Sequence, residues 1–132
     1  NKDQSILTLM DFEQVVEHNF VPVYTDMKLR EVVMDVVRVS NRNIYPVLER
    51  ETGVLKGVIL LDNIRHLIFE ADYYDKITAI ELMQPAPATI VSGKDTGAWN
   101  LPVVHSDGRY YGFISKSKLL SIYRRKLIYF TQ

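Results

Sequence analysis

The stretch that decides the fold reads Tyr45-Pro46-Val47-Leu48, then Gly53, then Gly57-Val58-Ile59. The chain repeats this pattern as Leu101-Pro102-Val103-Val104, then Gly108, then Gly112-Phe113-Ile114. In each copy the two glycines are four residues apart. An apolar run, a glycine turn and a second apolar run predict a β-hairpin, and the second glycine permits close approach by another backbone segment. The sequence therefore predicts two hairpins within an internal repeat.

A helical pattern follows each hairpin at the same distance from its second glycine. The apolar positions are Ile64, Leu67 and Ile68 in the first copy, and Leu119, Ile122 and Tyr123 in the second. This spacing predicts one amphipathic helix after each hairpin. Asp62 and Ser115 are the predicted N-caps, because their side-chain oxygens can accept from the first free backbone N–H groups.

The repeat continues upstream of the hairpins. Residues 15–25 align with residues 82–92, and each segment is a helix end that leads into an extended strand. In the first copy an apolar stripe then predicts an amphipathic helix. Its members are Leu29, Val32, Val33, Val36 and Val37. The chain is therefore predicted to be mixed α/β, with each repeat running short helix, strand, helix, β-hairpin, helix over residues 1–75 and 76–132.

The second copy lacks the counterpart of this stripe. Lys28 aligns with Asp95 at an offset of 67, but Ser40 aligns with Thr96 at an offset of 56, so 11 residues are missing between Asp95 and Thr96. Either this copy lost the helix and exposes an apolar sheet face, or a segment is omitted from the sequence. We favour omission, because a soluble domain rarely tolerates such a face. An intact mass equal to that of the printed sequence would contradict it.

Composition excludes several classes of protein. The 132 residues contain no cysteine, so disulfides and thiolate metal sites are absent, and no apolar run reaches the length of about 20 residues that a membrane helix needs. Acidic and basic residues balance at 16 each, but the stretch from Gly108 to Gln132 carries six basic residues and no acidic one. That ending is either a solvated helix face or a contact for phosphates or anionic lipids. We expect no nucleic acid partner. If the chain did bind nucleic acid, its affinity would depend strongly on salt.

No catalytic or metal-binding motif is present. His18, His66 and His105 lack metal-ligand spacing, and the sequence has no Walker-type loop, no G-x-S-x-G and no G-x-G-x-x-G. The acidic residues Glu70, Asp72 and Asp75 are either general acid–base partners or a solvated linker. We predict that the chain is not an enzyme and binds no metal.

The doubled hairpin pattern resembles the CBS domain, which occurs in pairs known as Bateman modules. More narrowly, the second copy resembles the C-terminal cytoplasmic region of prokaryotic chloride channels and transporters of the CLC family. The residues of this narrower match are Trp99 to Val104, Gly112 to Lys118 and Tyr123 to Arg125. The resemblance implies two repeats packed as a pseudo-twofold pair, with clefts that bind adenosine-containing ligands in many relatives.

The resemblance also implies candidate ligand-binding residues. In nucleotide-binding relatives a Ser or Thr three residues after the strand glycine contacts phosphate, and an Asp six residues after it holds the ribose. This chain has Leu60 and Asn63 at those positions in the first copy, and Ser115 and Lys118 in the second. Lys118 has no lone pair for a ribose hydroxyl, but Ser115, Lys116 and Lys118 form either an anion site or an N-cap with two solvent-facing lysines. The candidate set is completed by Arg42, Asn43, Tyr45 and Thr89. Tyr45 is expected either to stack on adenine or to lie buried in the hairpin.

The function expected from this resemblance is regulation. The chain would be the cytoplasmic regulatory module of a voltage-gated-type chloride channel or transporter, located at the cytoplasmic face of the membrane and forming a homodimer. Its partner would be the transmembrane part of the same polypeptide, and its ligands, if any, AMP, ADP or ATP. The alternative is an adenine-nucleotide sensor attached to another enzyme or transporter.

Overall fold

The computed structural model describes residues 14–86 and 100–115, together with Lys118, Leu120, Ser121 and Arg124. The chain divides into two compact units. The larger unit comprises Asn19–Ala86 and Val104–Tyr111, and the smaller unit contains the described parts of Asn1–His18, Pro87–Val103 and Gly112–Gln132. Among the described residues, no helix has the length and apolarity needed to span a bilayer.

The elements of the described chain follow in order. They are β1 (Val16–Glu17), β2 (Val23–Tyr24), α1 (Leu29–Glu31, continued as a π-helical turn over Val32–Val37), β3 (Ile44–Leu48), β4 (Leu55–Leu60), α2 (Leu61–Ile68), a 3-10 turn (Ala71–Tyr73), α3 (Ala79–Leu82), β5 (Asn100–Val104) and β6 (Tyr110–Ser115). Strands and helices alternate, so the predicted mixed α/β class is confirmed.

The larger unit is built on a three-stranded sheet in the order β2-β3-β4. Strand β2 runs parallel to β3, and β3 pairs antiparallel with β4 to form the first predicted hairpin. Gly53 turns this hairpin with φ +76°, a conformation that glycine adopts without steric cost. All five residues of β3 are buried, which explains why the strand reads as an uninterrupted apolar run.

Pro46 is tolerated in this central strand because its missing N–H is not needed there. Its partner across the hairpin is Val58, and the N–H and C=O of Val58 both bond to Gln84 instead of to β3. Proline therefore removes no hydrogen bond from the β3–β4 ladder.

The core of the larger unit lies between this sheet and its helices. It comprises Val23, Met27, Val32, Val36, Tyr45, Val47, Ile59, Ile64 and Ala79. The predicted stripe of α1 is confirmed, since Leu29, Val32, Val33 and Val36 are all buried. From Val32 onward the helix widens, and the N–H of Arg38 bonds to the carbonyl five residues earlier, at Val33. Four of those six residues are valine, and β-branched side chains crowd the preceding turn of an α-helix.

Helix α2 confirms the predicted helix after the first hairpin, but its cap differs from the prediction. Asp62 lies inside the first turn, and Leu60 is the N-cap residue. The N–H of Leu61, the first residue of the helix, donates to the Asn43 carbonyl at 2.8 Å, so the backbone before β3 satisfies one of the free N–H groups at this end. At the second hairpin the N–H of Lys118 donates to Ser115 Oγ at 3.4 Å, in the direction expected of an N-cap.

The smaller unit contains a sheet in the order β1-β6-β5, in which β1 is antiparallel to β6. Strands β5 and β6 form the second predicted hairpin, turned by Gly108 with φ +90°. The tip of this hairpin, Val104–Tyr111, belongs to the larger unit. There the N–H of Leu55 donates to the Gly108 carbonyl, and the N–H of Tyr110 donates to the Gly53 carbonyl. The two glycine turns therefore pair with each other reciprocally.

Candidate functional site

The predicted ligand-binding positions lie where the second strand of each hairpin ends and the next segment of the chain begins. We call residues 57–63 the first junction, in the larger unit, and residues 112–118 the second junction, in the smaller unit. Both begin with a glycine that another segment approaches closely. A Cβ on Gly57 would lie 2.5 Å from the Gln84 carbonyl oxygen, and one on Gly112 would lie 2.7 Å from the Glu17 carbonyl oxygen. Only glycine fits at these two positions.

The two crossing segments are equivalent by the repeat. Val58 and Gln84 exchange backbone hydrogen bonds of 2.9 Å in both directions. Glu17 pairs with Phe113 in the smaller unit. Glu17 and Gln84 are 67 residues apart, which is the offset that relates the upstream parts of the two copies. The same backbone arrangement is therefore built twice.

The side chain six residues after the glycine contacts the crossing residue at both junctions. At the first junction Asn63 Nδ2 donates to Gln84 Oε1 at 3.0 Å. At the second junction the Lys118 ammonium forms an ion pair with Glu17 Oε1. The positions that hold ribose in relatives are therefore bonded within the chain, through a neutral amide pair at one junction and an ion pair at the other.

The side chain three residues after the glycine also differs between the junctions. Leu60 is partly buried and offers no polar atom from its side chain. Ser115 is partly buried too, and its Oγ accepts the N–H of Lys118. A serine hydroxyl can hydrogen-bond a phosphate oxygen, whereas a leucine side chain cannot. The second junction is thus the more polar of the two.

Asn43 contacts the first junction through its backbone, and Arg42 precedes it in the chain. Arg42 Nη2 donates to Asn19 Oδ1 at 2.7 Å, and its guanidinium carbon lies 4.5 Å from the centre of the Phe20 ring. The Asn43 carbonyl accepts the N–H of Leu61, which fixes the start of α2 against the residues before β3. The Asn43 backbone therefore contacts the first junction, and a ligand-binding role of Arg42 and Asn43 stays a prediction.

Tyr45 does not offer a stacking face. Its side chain is 1% exposed and packs in the core of the larger unit, which is the buried alternative stated for it. Among the described residues its hydroxyl has no hydrogen-bond partner, and burial raises the pKa of this phenol. Tyr45 is therefore a core residue carrying an unpaired hydroxyl.

The remaining predicted positions fall elsewhere. Thr89, Lys116 and the predicted break between Asp95 and Thr96 lie outside the described residues. Within the described part of the chain, no group of three or more His, Asp or Glu residues could hold a metal ion. That no metal binds and that the chain is not an enzyme stay predictions.

Sequence reasoning missed the residues that cross the junctions, Glu17 and Gln84, and the pair Asn19 and Phe20 beside Arg42. The signal for Glu17 and Gln84 was present, because the repeat aligns them. Gln84 and Asn63 are both neutral, whereas Glu17 and Lys118 carry opposite charges. A comparison of the two copies could therefore have paired Gln84 with Asn63 and Glu17 with Lys118. No pattern in the sequence marks Asn19 or Phe20.

No protein-family model matches this chain, and no curated protein sequence matches it. Solved structures do match. A CBS domain protein from Streptococcus pneumoniae is 17% identical with a TM-score of 0.70, and the match covers 96% of this chain and 94% of that protein. The CbpB protein of Listeria monocytogenes, solved in complex with c-di-AMP, is 17% identical with a TM-score of 0.66, over 86% of this chain and 92% of that one.

A third match comes from an ion channel. The cytosolic domain of the Mg²⁺ channel MgtE, in complex with ATP, is 24% identical with a TM-score of 0.65. This match covers 82% of the present chain and 46% of that one. At these identities the likeness establishes the fold, and the chain has the fold of CBS domain proteins.

Proposed function

We propose that this chain is a regulatory pair of CBS domains that binds an adenine-containing ligand and passes the signal to a larger protein. The observation that carries the proposal is the pair of equivalent junctions. In each junction another backbone segment crosses the strand at a glycine, and polar side chains follow at positions that the resemblance assigns to nucleotide binding. Structures with the same fold were solved with c-di-AMP and with ATP, which supports this ligand class.

More specifically, we propose that the module is the cytoplasmic C-terminal region of a CLC-type chloride channel or transporter. The sequence around Trp99 to Val104 and Gly112 to Lys118 supports this assignment. The cytosolic domain of an ion channel has the same fold, which supports a role beside a membrane protein. In this proposal the module lies at the cytoplasmic face of the membrane, forms a homodimer and carries out no catalysis of its own.

A second candidate function is an adenine-nucleotide sensor attached to another enzyme or transporter. The nucleotide complexes among the solved structures favour it, and none of the proteins compared above is named a chloride channel. The two candidates share the ligand and differ in the protein that the module regulates.

Calorimetric titration with AMP, ADP, ATP and S-adenosylmethionine tests the shared part of the proposal. We expect saturable binding of at least one ligand. Arg42→Ala should weaken it about tenfold, because its guanidinium would no longer be available to a phosphate or a base. Arg38→Ala is the matched control, since Arg38 is an exposed arginine of the same unit whose side chain bonds only locally, to the Met34 carbonyl. No heat and no thermal shift at millimolar ligand would contradict ligand binding.

Chloride transport tests the finer assignment. The full-length polypeptide would be reconstituted in liposomes, and chloride efflux would be measured with and without the nucleotide that binds. Efflux that responds to nucleotide supports the channel or transporter assignment. A full-length polypeptide that binds nucleotide but moves no chloride supports the second candidate.

Incubation with ATP tests the absence of catalysis. We expect chromatography to recover the nucleotide unchanged after a long incubation with a stoichiometric amount of protein. Conversion to ADP that survives re-purification and is lost in the Arg42→Ala variant would show that the module is an enzyme.

A further inference from the structure

The two junctions have the same backbone arrangement, but the side-chain pair is neutral at one and charged at the other. Asn63 and Gln84 form a neutral pair, whereas Lys118 and Glu17 form an ion pair. The Lys118 side chain is 55% exposed and the Glu17 side chain is 16% exposed. The ammonium is therefore reachable by a ligand, while the carboxylate is held largely inside the protein.

The chemistry of Lys118 limits what it can bind. An ammonium group has three N–H donors and no acceptor, so it cannot take the protons of ribose hydroxyls as a carboxylate does. It binds phosphate oxygens well. Glu17 already accepts one of these N–H groups, and its negative charge would repel a phosphate placed beside it.

We propose that Glu17 competes with the ligand for Lys118, so that the second junction accepts only ligands whose phosphate can replace the Glu17 carboxylate. This inference rests on the proposed function and assigns the specificity of one of its two sites. The corresponding pair at the first junction, Asn63 and Gln84, is neutral, so this competition has no counterpart there. Binding at the second junction therefore depends on a phosphate that displaces the Glu17 carboxylate, whereas binding at the first junction requires no such displacement.

The test is a titration with ADP and, separately, with adenosine. Glu17→Gln removes the competing charge and should tighten ADP binding about 2- to 5-fold, the range expected for one partly exposed ion pair. It should leave adenosine binding unchanged. Lys118→Met should weaken ADP binding and, in the double variant, abolish the effect of Glu17→Gln.

Two controls match these variants in charge. Glu51→Gln removes one negative charge from an exposed residue of the first hairpin turn, and Lys76→Met removes one positive charge from an exposed residue of the larger unit. Both should bind ADP as the parent chain does. If Glu17→Gln fails to fold, a comparison of ADP binding by Lys118→Met and Lys76→Met still tests the proposal, because Lys118 lies at the surface.

The outcomes separate this inference from the proposed function. ADP binding that is the same in the parent chain, Glu17→Gln and Lys118→Met overturns the competition while ligand binding stands. An equal gain in Glu17→Gln and Glu51→Gln also overturns it, because the effect would then be one of net charge. The absence of ADP binding in the parent chain and every variant overturns both.

Discussion

Single residues decide whether the junctions can form. Gly57 and Gly112 are needed because another backbone crosses them, and Gly53 and Gly108 are needed because their φ angles are positive. The sequence predicts both pairs from their spacing, but it does not distinguish these two physical reasons. The distinction predicts different consequences for the same substitution.

Gly57→Ala should destabilise the larger unit by about 1–3 kcal/mol, the usual cost of forcing extra atoms into a packed site. Its Cβ would lie 2.5 Å from the Gln84 carbonyl oxygen, so the bonds between Val58 and Gln84 must lengthen. Urea unfolding measures the loss, and amide exchange of Val58 and Gln84 should accelerate. Gly53→Ala is the control, because its Cβ meets nothing within 4 Å. It should cost about 1–2 kcal/mol from backbone strain alone and leave those two amides protected. Unchanged exchange in Gly57→Ala would contradict the close approach.

Tyr45→Phe should leave stability unchanged or raise it by up to about 1 kcal/mol. The buried hydroxyl has no partner among the described residues, and an unpaired buried donor carries a desolvation cost that phenylalanine removes. The midpoint of urea unfolding measures the change. Tyr74→Phe is the matched control, because the Tyr74 hydroxyl donates to the Ile68 carbonyl, and its loss should cost about 0.5–1.5 kcal/mol. Clear destabilisation by Tyr45→Phe would indicate a bound water or other partner at that hydroxyl.

For the helices and strands, the sequence predicted those elements whose apolar residues recur at a regular spacing. Both hairpins, the buried stripe of α1 and the position of α2 follow from the spacing of apolar residues. It did not predict the π-helical turn after Glu31, which periodicity does not encode, or the bond at the start of α2, because a neighbouring backbone supplies that acceptor. The two-residue strand β1 carries no periodicity at all, so its pairing with β6 could only have come from the repeat.

The segment between α2 and α3 is attached to α1 by an ion pair whose effect depends on pH. Arg30 donates two hydrogen bonds to the Asp75 carboxylate, at 2.9 and 2.8 Å, and these bonds lower the pKa of Asp75. A carboxyl with a lowered pKa stabilises the folded state above the pKa it has when unfolded. That contribution is lost as the pH falls below about 4 and through the lowered value.

Asp75→Asn should therefore lower the urea midpoint at neutral pH, and the difference from the parent chain should shrink and vanish in acid. The effect should be small, because both side chains are largely exposed and screened by solvent. Asp72→Asn, which removes the same charge from an exposed residue of the same segment, is the control for net charge. A constant difference at all pH values would mean that Asp75 acts through packing instead of charge.

For the whole molecule, the repeat predicts that the two junctions have equivalent backbones, but it does not predict that their side chains differ in charge. Each compact unit takes its junction from one copy and its crossing segment from the other. Local pattern cannot reveal this exchange, because a crossing residue is recognised only by what it touches. The same exchange sets Glu17 beside Lys118 and Gln84 beside Asn63, so the chemistry of each junction depends on both copies.

Self-association is the last prediction and belongs to the molecule as a whole. The larger unit exposes several large apolar side chains, and Phe69 at the end of α2 is 84% exposed. Exposed apolar surface of this kind favours association in water. We expect sedimentation equilibrium to give twice the 15.3 kDa of one chain.

Phe69→Ser should shift this equilibrium toward the monomer by at least about tenfold in Kd, as the loss of an aromatic contact at an interface does. It should leave the urea midpoint of the monomer unchanged, since so exposed a ring contributes little to the fold. Val39→Ser, another exposed apolar position of the same unit, shows whether any loss of apolar surface has the same effect. A monomer at all concentrations in the parent chain would contradict the homodimer, and the module would then have to signal as a single copy through its junctions.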